Sequence, residues 1–180
     1  MTESWLINTS NKGKLNEYQT YLNIDLKSTS IDLKEPDSDP ITIICYKASQ
    51  FEGKNVIVDD VSLDMVDQTI KSPGTNIRWL IDQMETLLGK KAIFSCLIGI
   101  QKMNKIYIYQ GKVIGTIVKP IGDGFGFGPF FLPDGTDKTL GEYMDPKYNA
   151  RYIAIQNLIN DNHIDILDPI INWTGNFQHN

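Results

Sequence analysis

The stretch that most constrains this chain is its start, Trp5-Leu6-Ile7-Asn8-Thr9-Ser10-Asn11-Lys12-Gly13-Lys14-Leu15. A short apolar run, which reads as a strand, breaks into a small polar loop. The loop opens a segment over Lys14 to Leu22 in which Leu15, Tyr18 and Leu22 recur at helical spacing. The first turn of a helix leaves backbone N–H groups unpaired and carries partial positive charge, so it suits phosphate. Thr9, Ser10 and Asn11 can cap that turn, and Lys12 and Lys14 add charge beside it. Taken alone, the same residues read more readily as an ordinary capped turn with solvated lysines.

The rest of the chain alternates between the two periodicities. Asp39-Pro40 begins a second helix, with Asp as cap and Pro in the first turn, and Ile41, Ile44, Cys45, Ala48 and Phe51 form its inner face. Val56-Ile57-Val58 is a short strand that runs into Asp59-Asp60, and Ser72-Pro73-Gly74 is a turn. Ile77, Leu80, Ile81, Met84, Leu87 and Leu88 predict one amphipathic helix stopped by Gly89. Ala92 to Ile100 reads as a buried strand. Ile106 to Tyr109 and Val113 to Val118 read as a hairpin around Gln110-Gly111-Lys112. A glycine- and aromatic-rich loop, Gly122 to Gly135, follows, and Ala150 to Asn160 is the last long helix. This mixture predicts an α/β or α+β fold with a mixed sheet. Its 180 residues are expected to form one domain of two lobes over 1–162, with a tail of uncertain structure over 163–180.

Composition narrows the partners. The net charge of −5 disfavours nonspecific binding to nucleic acid, so an anionic ligand needs local positive charge or a metal. Cys45 and Cys96 lie in apolar runs and read as buried free thiols. No apolar run reaches membrane-spanning length and no signal-peptide pattern opens the chain, so a cytoplasmic protein without a membrane partner is expected. His163 and His179, both in the tail, read as solvated.

Four features ask for one chemistry. They are the polar loop with Lys14, the acidic pair Asp59-Asp60, the acidic run Glu35 to Asp39, and Phe125-Gly126-Phe127-Gly128-Pro129 followed by Pro133-Asp134-Gly135. Adjacent carboxylates beside a phosphate loop suit Mg²⁺, which keeps waters and shares substrate phosphate oxygens. They are also compatible with a simple turn cap. The Phe-Gly-Phe-Gly-Pro loop can lay an aromatic face against a base, and its phenylalanines can also fill the core, the commoner fate of Phe. Its glycines follow a hairpin and run into proline, which excludes a dinucleotide fingerprint. A Walker-type phosphate loop is also absent from the sequence.

In that order, the motifs resemble the inosine triphosphate pyrophosphatase family, from about Leu6 to Leu158. Thr9-Ser10-Asn11-Lys12-Gly13-Lys14 is similar to the family's Thr-Gly-Asn-x-x-Lys loop, and Val58-Asp59-Asp60 to its Asp/Glu-Asp element. Ser72-Pro73-Gly74 stands at its Pro-Gly turn, Phe125 to Pro129 at its Phe-Gly-Tyr/Trp-Asp-Pro, and Asn149-Ala150-Arg151 at its Ser-His-Arg. Pro133-Asp134-Gly135 and Thr139 match the family's Pro-x-Gly and Thr.

The resemblance implies a two-lobed α/β fold with a long mixed β-sheet, a cleft between lobes and a homodimer. It also implies Mg²⁺-dependent cleavage of ITP, dITP or XTP to a monophosphate and pyrophosphate. Carried over residue by residue, Thr9, Ser10, Asn11, Lys14 and Lys147 would hold phosphate. Asp60 would activate water. Glu35, Asp59 and Asp60 would serve the metal, with Asp37 and Asp39 as rivals to Glu35. Phe125, Phe127 and Arg151 would meet the base. Three departures stand out. Gly128 replaces the family's Asp, Ala150 replaces its His, and Val61-Ser62 replaces the Ser-Gly after the acidic pair. The first two remove groups that read the purine edge, so the resemblance implies relaxed or redirected base preference.

Overall fold

The computed structural model describes residues 4–123 and 126–178. Strand β1 (Leu6–Asn8) leads into helix α1 (Lys12–Leu22). Asn11 is the cap: its side chain accepts the Lys14 N–H at 3.0 Å, while Thr9 Oγ1 accepts the Asn11 N–H at 3.0 Å. The cap starts the helix at Lys12, two residues before the apolar periodicity becomes visible. Asn23, in the left-handed region at φ 55°, ends it. Strand β2 (Lys27–Thr29) then pairs parallel to β1.

Helix α2 (Pro40–Ser49) forms as its Asp-Pro start dictates, with the Asp39 carboxylate accepting the Thr42 N–H at 3.1 Å and the Thr42 hydroxyl at 2.6 Å. Strand β3 (Val56–Met65) pairs parallel to β1. It does not stop at Asp59-Asp60, as its apolar start suggests, but runs straight through them. Leu63 and Met65 are buried and resume the alternation, and the Leu63 N–H bonds the Gly74 carbonyl at 2.9 Å. The acidic pair therefore lies within a strand, where successive side chains point to opposite faces.

The expected long amphipathic helix is two short ones, α3 (Ile77–Asp82) and α4 (Met84–Leu87), with Gln83 between them at φ −104°, ψ 13°. Leu80 and Leu87 are buried; Ile81 and Leu88, which the periodicity assigned to the same face, are exposed. The hairpin is also displaced. Strand β4 (Lys91–Lys102) and strand β5 (Lys105–Ile117) are joined at Met103-Asn104, both at positive φ (50° and 62°). That is the two-residue turn whose twist matches paired strands. Gln110-Gly111-Lys112, read as the turn, lies inside β5, where Gly111 is buried.

A short 3-10 turn (Gly128–Phe130) leads into β6 (Phe131–Pro133). A second 3-10 turn (Pro146–Tyr148) precedes helix α5 (Ala150–Ile159), and β7 (Asp165–Leu167) follows. The strands form one seven-stranded mixed sheet in the order β2-β1-β3-β4-β5-β6, with β7 antiparallel on β5. The chain divides into two compact units, one of residues 1–60, 97–110 and 154–180 and the other of 61–96 and 111–153.

In the first unit, Ile44, Cys45, Ala48 and Phe51 of α2 and its C-terminal extension pack on Val56, Val58, Leu97, Ile106 and Ile108 of the sheet. The approach is close at Gly99, where an added Cβ would lie 2.6 Å from the Ile44 side chain. In the second unit Phe94 packs against Phe131 and Phe127. Cys45 and Cys96 are both buried, and neither forms a disulfide.

The tail has structure that no local period announces. After β7, the Ile170 N–H bonds Ser49 Oγ at 2.8 Å, and Phe177 forms an antiparallel bridge with Pro36. His163 is exposed, as read, and also meets Tyr107 and Tyr109 edge-on at 5.5 and 6.4 Å between centroids. His179 lies outside the described residues. No described helix is long and apolar enough to cross a membrane.

Candidate active site

The site is organised by strand alternation at Asp59 and Asp60. Val56, Val58 and Asp60 share the face that packs on α2, and Ile57 and Asp59 share the other, toward α1. Each carboxylate meets a lysine from the helix on its own side.

On the α1 side, Asp59 has a fully buried side chain. Lys14 Nζ lies 2.6 Å from its Oδ1, and the Tyr18 hydroxyl donates to its Oδ2 at 2.6 Å. Lys14 and Tyr18 are four residues apart, hence on one face of α1. A buried carboxylate needs such partners to stay ionised. The result is a fixed anchor for Lys14 at the first turn of the helix that Asn11 caps.

On the α2 side the arrangement is more open. Lys47 Nζ lies 3.0 Å from Asp60 Oδ1 and 3.6 Å from Glu35 Oε1, with side-chain exposures of 14 %, 23 % and 35 % for Lys47, Asp60 and Glu35. Burial pushes the Asp60 carboxyl above the ordinary carboxylate value, against the opposing pull of Lys47. Burial alone would lower the Lys47 ammonium; the charges of Asp60 and Glu35 outweigh it and hold its pKa above the ordinary value. A carboxylate raised in this way is the better proton acceptor, as a group that activates water must be.

Two carboxylates converging on one cation are the donor set that magnesium uses when waters and phosphate oxygens complete its shell. Glu35 and Asp60 fit that role. Asp59 does not. Both its oxygens are engaged, its side chain is fully buried, and alternation turns it to the opposite face from Asp60. Asp59, expected to serve the metal, here holds Lys14. Among the rivals to Glu35, Asp39 is committed to capping α2, which draws its carboxyl below the ordinary value chiefly through the Thr42 hydroxyl. Asp37 is exposed, and its backbone N–H bonds the Asn176 carbonyl at 2.9 Å. Among the described residues, no group of three or more His, Cys, Asp or Glu side chains is arranged as a metal cluster.

Thr9 and Asn11 shape the loop before α1, and Ser10 is exposed there. The remaining expected residues belong to the second unit. Phe127 is 3 % exposed, with its ring edge-on to Phe94 at 6.4 Å. In this arrangement the ring is packed in the core, with no open face for the expected stacking on a base. Phe125 lies outside the described residues. Arg151 is buried in the first turn of α5, and its N–H bonds Asn149 Oδ1 at 2.9 Å. Lys147 is exposed on the second 3-10 turn, its ammonium 5.4 Å from the Tyr148 ring centroid. Gly128 is buried, and an added Cβ there would meet Leu140 Cβ at 3.6 Å, an ordinary contact. Ala150 is fully buried.

Sequence reading missed Tyr18 and Lys47. The periodicity marks Tyr18 only as an apolar position of α1, although its spacing from Lys14 puts both polar ends on one face. Lys47 is the only charged residue of α2, which is a signal in itself, because a buried ammonium needs a partner.

Comparison with known proteins shows what the chain is similar to. The model of the Ham1 family matches residues 5–161. A dITP/XTP pyrophosphatase of Bartonella quintana is 32 % identical over 171 residues, covering 76 % of this chain and 80 % of that protein. An inosine triphosphate pyrophosphatase of Schizosaccharomyces pombe is 26 % identical over 176 residues, covering 87 % and 93 %. The Ham1 protein structure of Staphylococcus aureus superimposes with a TM-score of 0.69 at 23 % identity, over 88 % of this chain and 97 % of that one, which supports the fold. With most of its length matched by the family model, the chain belongs to the Ham1 family.

Proposed function

We propose that the protein is a nucleoside triphosphate pyrophosphatase, which adds water across the α–β phosphoanhydride and releases a nucleoside monophosphate and pyrophosphate. The observation that carries this reading is the division of labour on β3. Asp59 is consumed in fixing Lys14 beside a capped helix N-terminus, while Asp60 stands half open with Glu35 and a raised pKa. Hydrolysis of a triphosphate is limited by charge repulsion, so positioned cations and one water-activating base are the required parts.

In this reading Lys14 and the N–H groups at the start of α1 hold phosphate oxygens. Asp60 orients and deprotonates the attacking water. Glu35 and Asp60 hold Mg²⁺, which when bound neutralises phosphate charge and positions the substrate. Lys47 keeps the two carboxylates converged and ionised. Phe125, Arg151 and Lys147 are assigned to the base and phosphates by family resemblance. The proposed assembly is a homodimer in the cytoplasm.

The substrate class is a purine nucleoside triphosphate of the ITP, dITP or XTP type, with relaxed base selection. Gly128 and Ala150 carry no hydrogen-bonding side chain where the family has Asp and His. A pocket stripped of such groups loses the penalty that rejects the wrong base.

The test is pyrophosphate release from a panel of common and deaminated triphosphates with Mg²⁺, comparing wild type with Asp60→Asn. Release that favours ITP or XTP and disappears in the variant supports the full reading. Release with another base means that Gly128 and Ala150 have redirected the enzyme. A folded wild type that releases nothing overturns hydrolysis and leaves a nucleotide-binding protein, which a nucleotide-dependent thermal shift would reveal.

A further inference from the structure

We infer that the C-terminal segment Trp173–Gln178 is a strap that positions Glu35, with Phe177 as its anchor. This inference rests on the metal role proposed above for Glu35 and Asp60. The segment lies beyond the stretch matched by the family model, which ends at residue 161.

Glu35 stands on an irregular stretch between β2 and α2, and no regular element of its own fixes its backbone. The tail supplies that fixation. The Gln178 N–H donates to the Glu35 carbonyl at 2.8 Å, and Gln178 Nε2 donates to the Pro36 carbonyl at 3.1 Å. The Asp37 N–H donates to the Asn176 carbonyl at 2.9 Å, and Pro36 bridges Phe177. Every residue from Glu35 to Asp37 is therefore tied to the tail through its backbone.

The strap is itself anchored to the helix that carries Lys47. The Phe177 ring meets Tyr46 of α2 edge-on at 6.0 Å, and Lys34 Nζ lies 6.0 Å from the same ring. The Ser49 hydroxyl accepts the Ile170 N–H, and Gln50 Nε2 donates to the Ile170 carbonyl at 3.3 Å. The Trp173 indole N–H closes the turn on the Asn176 carbonyl at 2.8 Å. One segment thus ties the loop of Glu35 to the helix of Lys47, the residues whose side chains meet at 3.6 Å beside Asp60. Held in this register, Glu35 keeps its carboxylate toward Asp60. Released, it swings with a loop that has no other tether of this kind among the described bonds. Phe177 and Gln178 are positioning residues: they act through Glu35 and touch no reacting atom.

The experiment uses the full chain with Phe177→Ala, Phe177→Tyr, Glu35→Gln and the double variant Phe177→Ala/Glu35→Gln. Ile171→Ala, in the exposed part of the tail, is the control. Mn²⁺ is titrated into each protein without nucleotide and followed by its electron paramagnetic resonance signal. Amide exchange over residues 34–39 reports the loop. Phe177→Ala is expected to weaken Mn²⁺ binding about 10- to 100-fold, as loss of an outer-shell support does. It also speeds exchange over residues 34–39, while Phe177→Tyr restores both. In the Glu35→Gln background Phe177→Ala has no further effect on binding, because its action runs through that carboxylate.

Phe177→Ala that binds Mn²⁺ like wild type overturns the strap. So does a further loss in the double variant, which would mark a general loss of packing. Wild type that binds no Mn²⁺ overturns the metal reading and the strap with it, whereas binding that only the strap variants leave intact overturns the strap alone.

Discussion

The two faces of β3 carry the same pair of charges, a carboxylate and a lysine, and use them differently. On the α1 face the pair is sealed: Asp59 is fully buried and both its oxygens are engaged by Lys14 and Tyr18. On the α2 face it is open: Asp60 keeps 23 % of its side chain exposed and shares Lys47 with Glu35. The sealed carboxylate fixes its lysine and leaves only the ammonium to reach outward, whereas the open pair has room but less rigidity. The difference teaches that adjacent acidic residues in a strand are not interchangeable ligands. Alternation gives one to the scaffold and, in the proposed reading, one to the chemistry.

The largest expected effects separate the two carboxylates. Asp60→Asn should lower kcat about 10²- to 10⁴-fold, the range for loss of a positioned proton acceptor. It should leave the melting temperature at or above wild type, because burial already disfavours the ionised form of Asp60. Asp59→Asn should do the converse at the level of the fold. Removing one partner of a buried pair costs about 3–5 kcal/mol, with the lower end expected because Lys14 reaches solvent. Thermal melts and pyrophosphate release on both variants check the crossing. An Asp59→Asn protein as stable as wild type would erase the distinction between the faces.

A finer test acts on the sealed face alone. Tyr18→Phe removes one hydroxyl donor from Asp59 and changes no charge. A hydrogen bond to a buried carboxylate is worth about 1.5–3 kcal/mol, and urea unfolding should show that loss. Asp59 then holds Lys14 less firmly, so KM for the triphosphate should rise more than kcat falls. An unchanged stability would mean that Lys14 alone satisfies Asp59.

Much of this division was legible before any coordinates. The loop before α1, the Asp39-Pro40 start of α2 and the Asp59-Asp60 pair follow from short-range rules of capping and periodicity. What escaped was long-range. The strap joins Gln178 to Glu35 and Pro36 across the whole chain, and no local pattern signals a pairing at that separation. The misplaced hairpin has a different cause. Gln110-Gly111-Lys112 carries turn chemistry, yet the actual turn uses Met103 in the left-handed region, a residue with no preference for it, and Asn104 beside it bears the familiar signal. Phe127 is ambiguous for a third reason: an aromatic ring among glycines suits a base or, more commonly, a core, and local sequence does not show its packing on Phe94.

The smallest expected effect marks the boundary of the open face. Asp39 lies four residues from Glu35 and was its rival for the metal, but its carboxylate caps α2 and is drawn below the ordinary value chiefly by the Thr42 hydroxyl. Asp39→Ala should therefore cost about 1 kcal/mol of stability, the usual worth of a side-chain cap, and should leave Mn²⁺ binding unchanged. The sign of its pH dependence follows from the lowered folded-state value. The cap's contribution is complete above the unfolded carboxylate pKa of 3.8 and is lost as pH falls through the lower folded value. The gap in stability between wild type and Asp39→Ala is then full at neutral pH and closes on acidification below that window. Urea midpoints at neutral and strongly acidic pH measure it. A gap that persists in acid would show that the Asp39 side chain holds α2 by packing, and a loss of metal binding in this variant would return it to the open face beside Glu35.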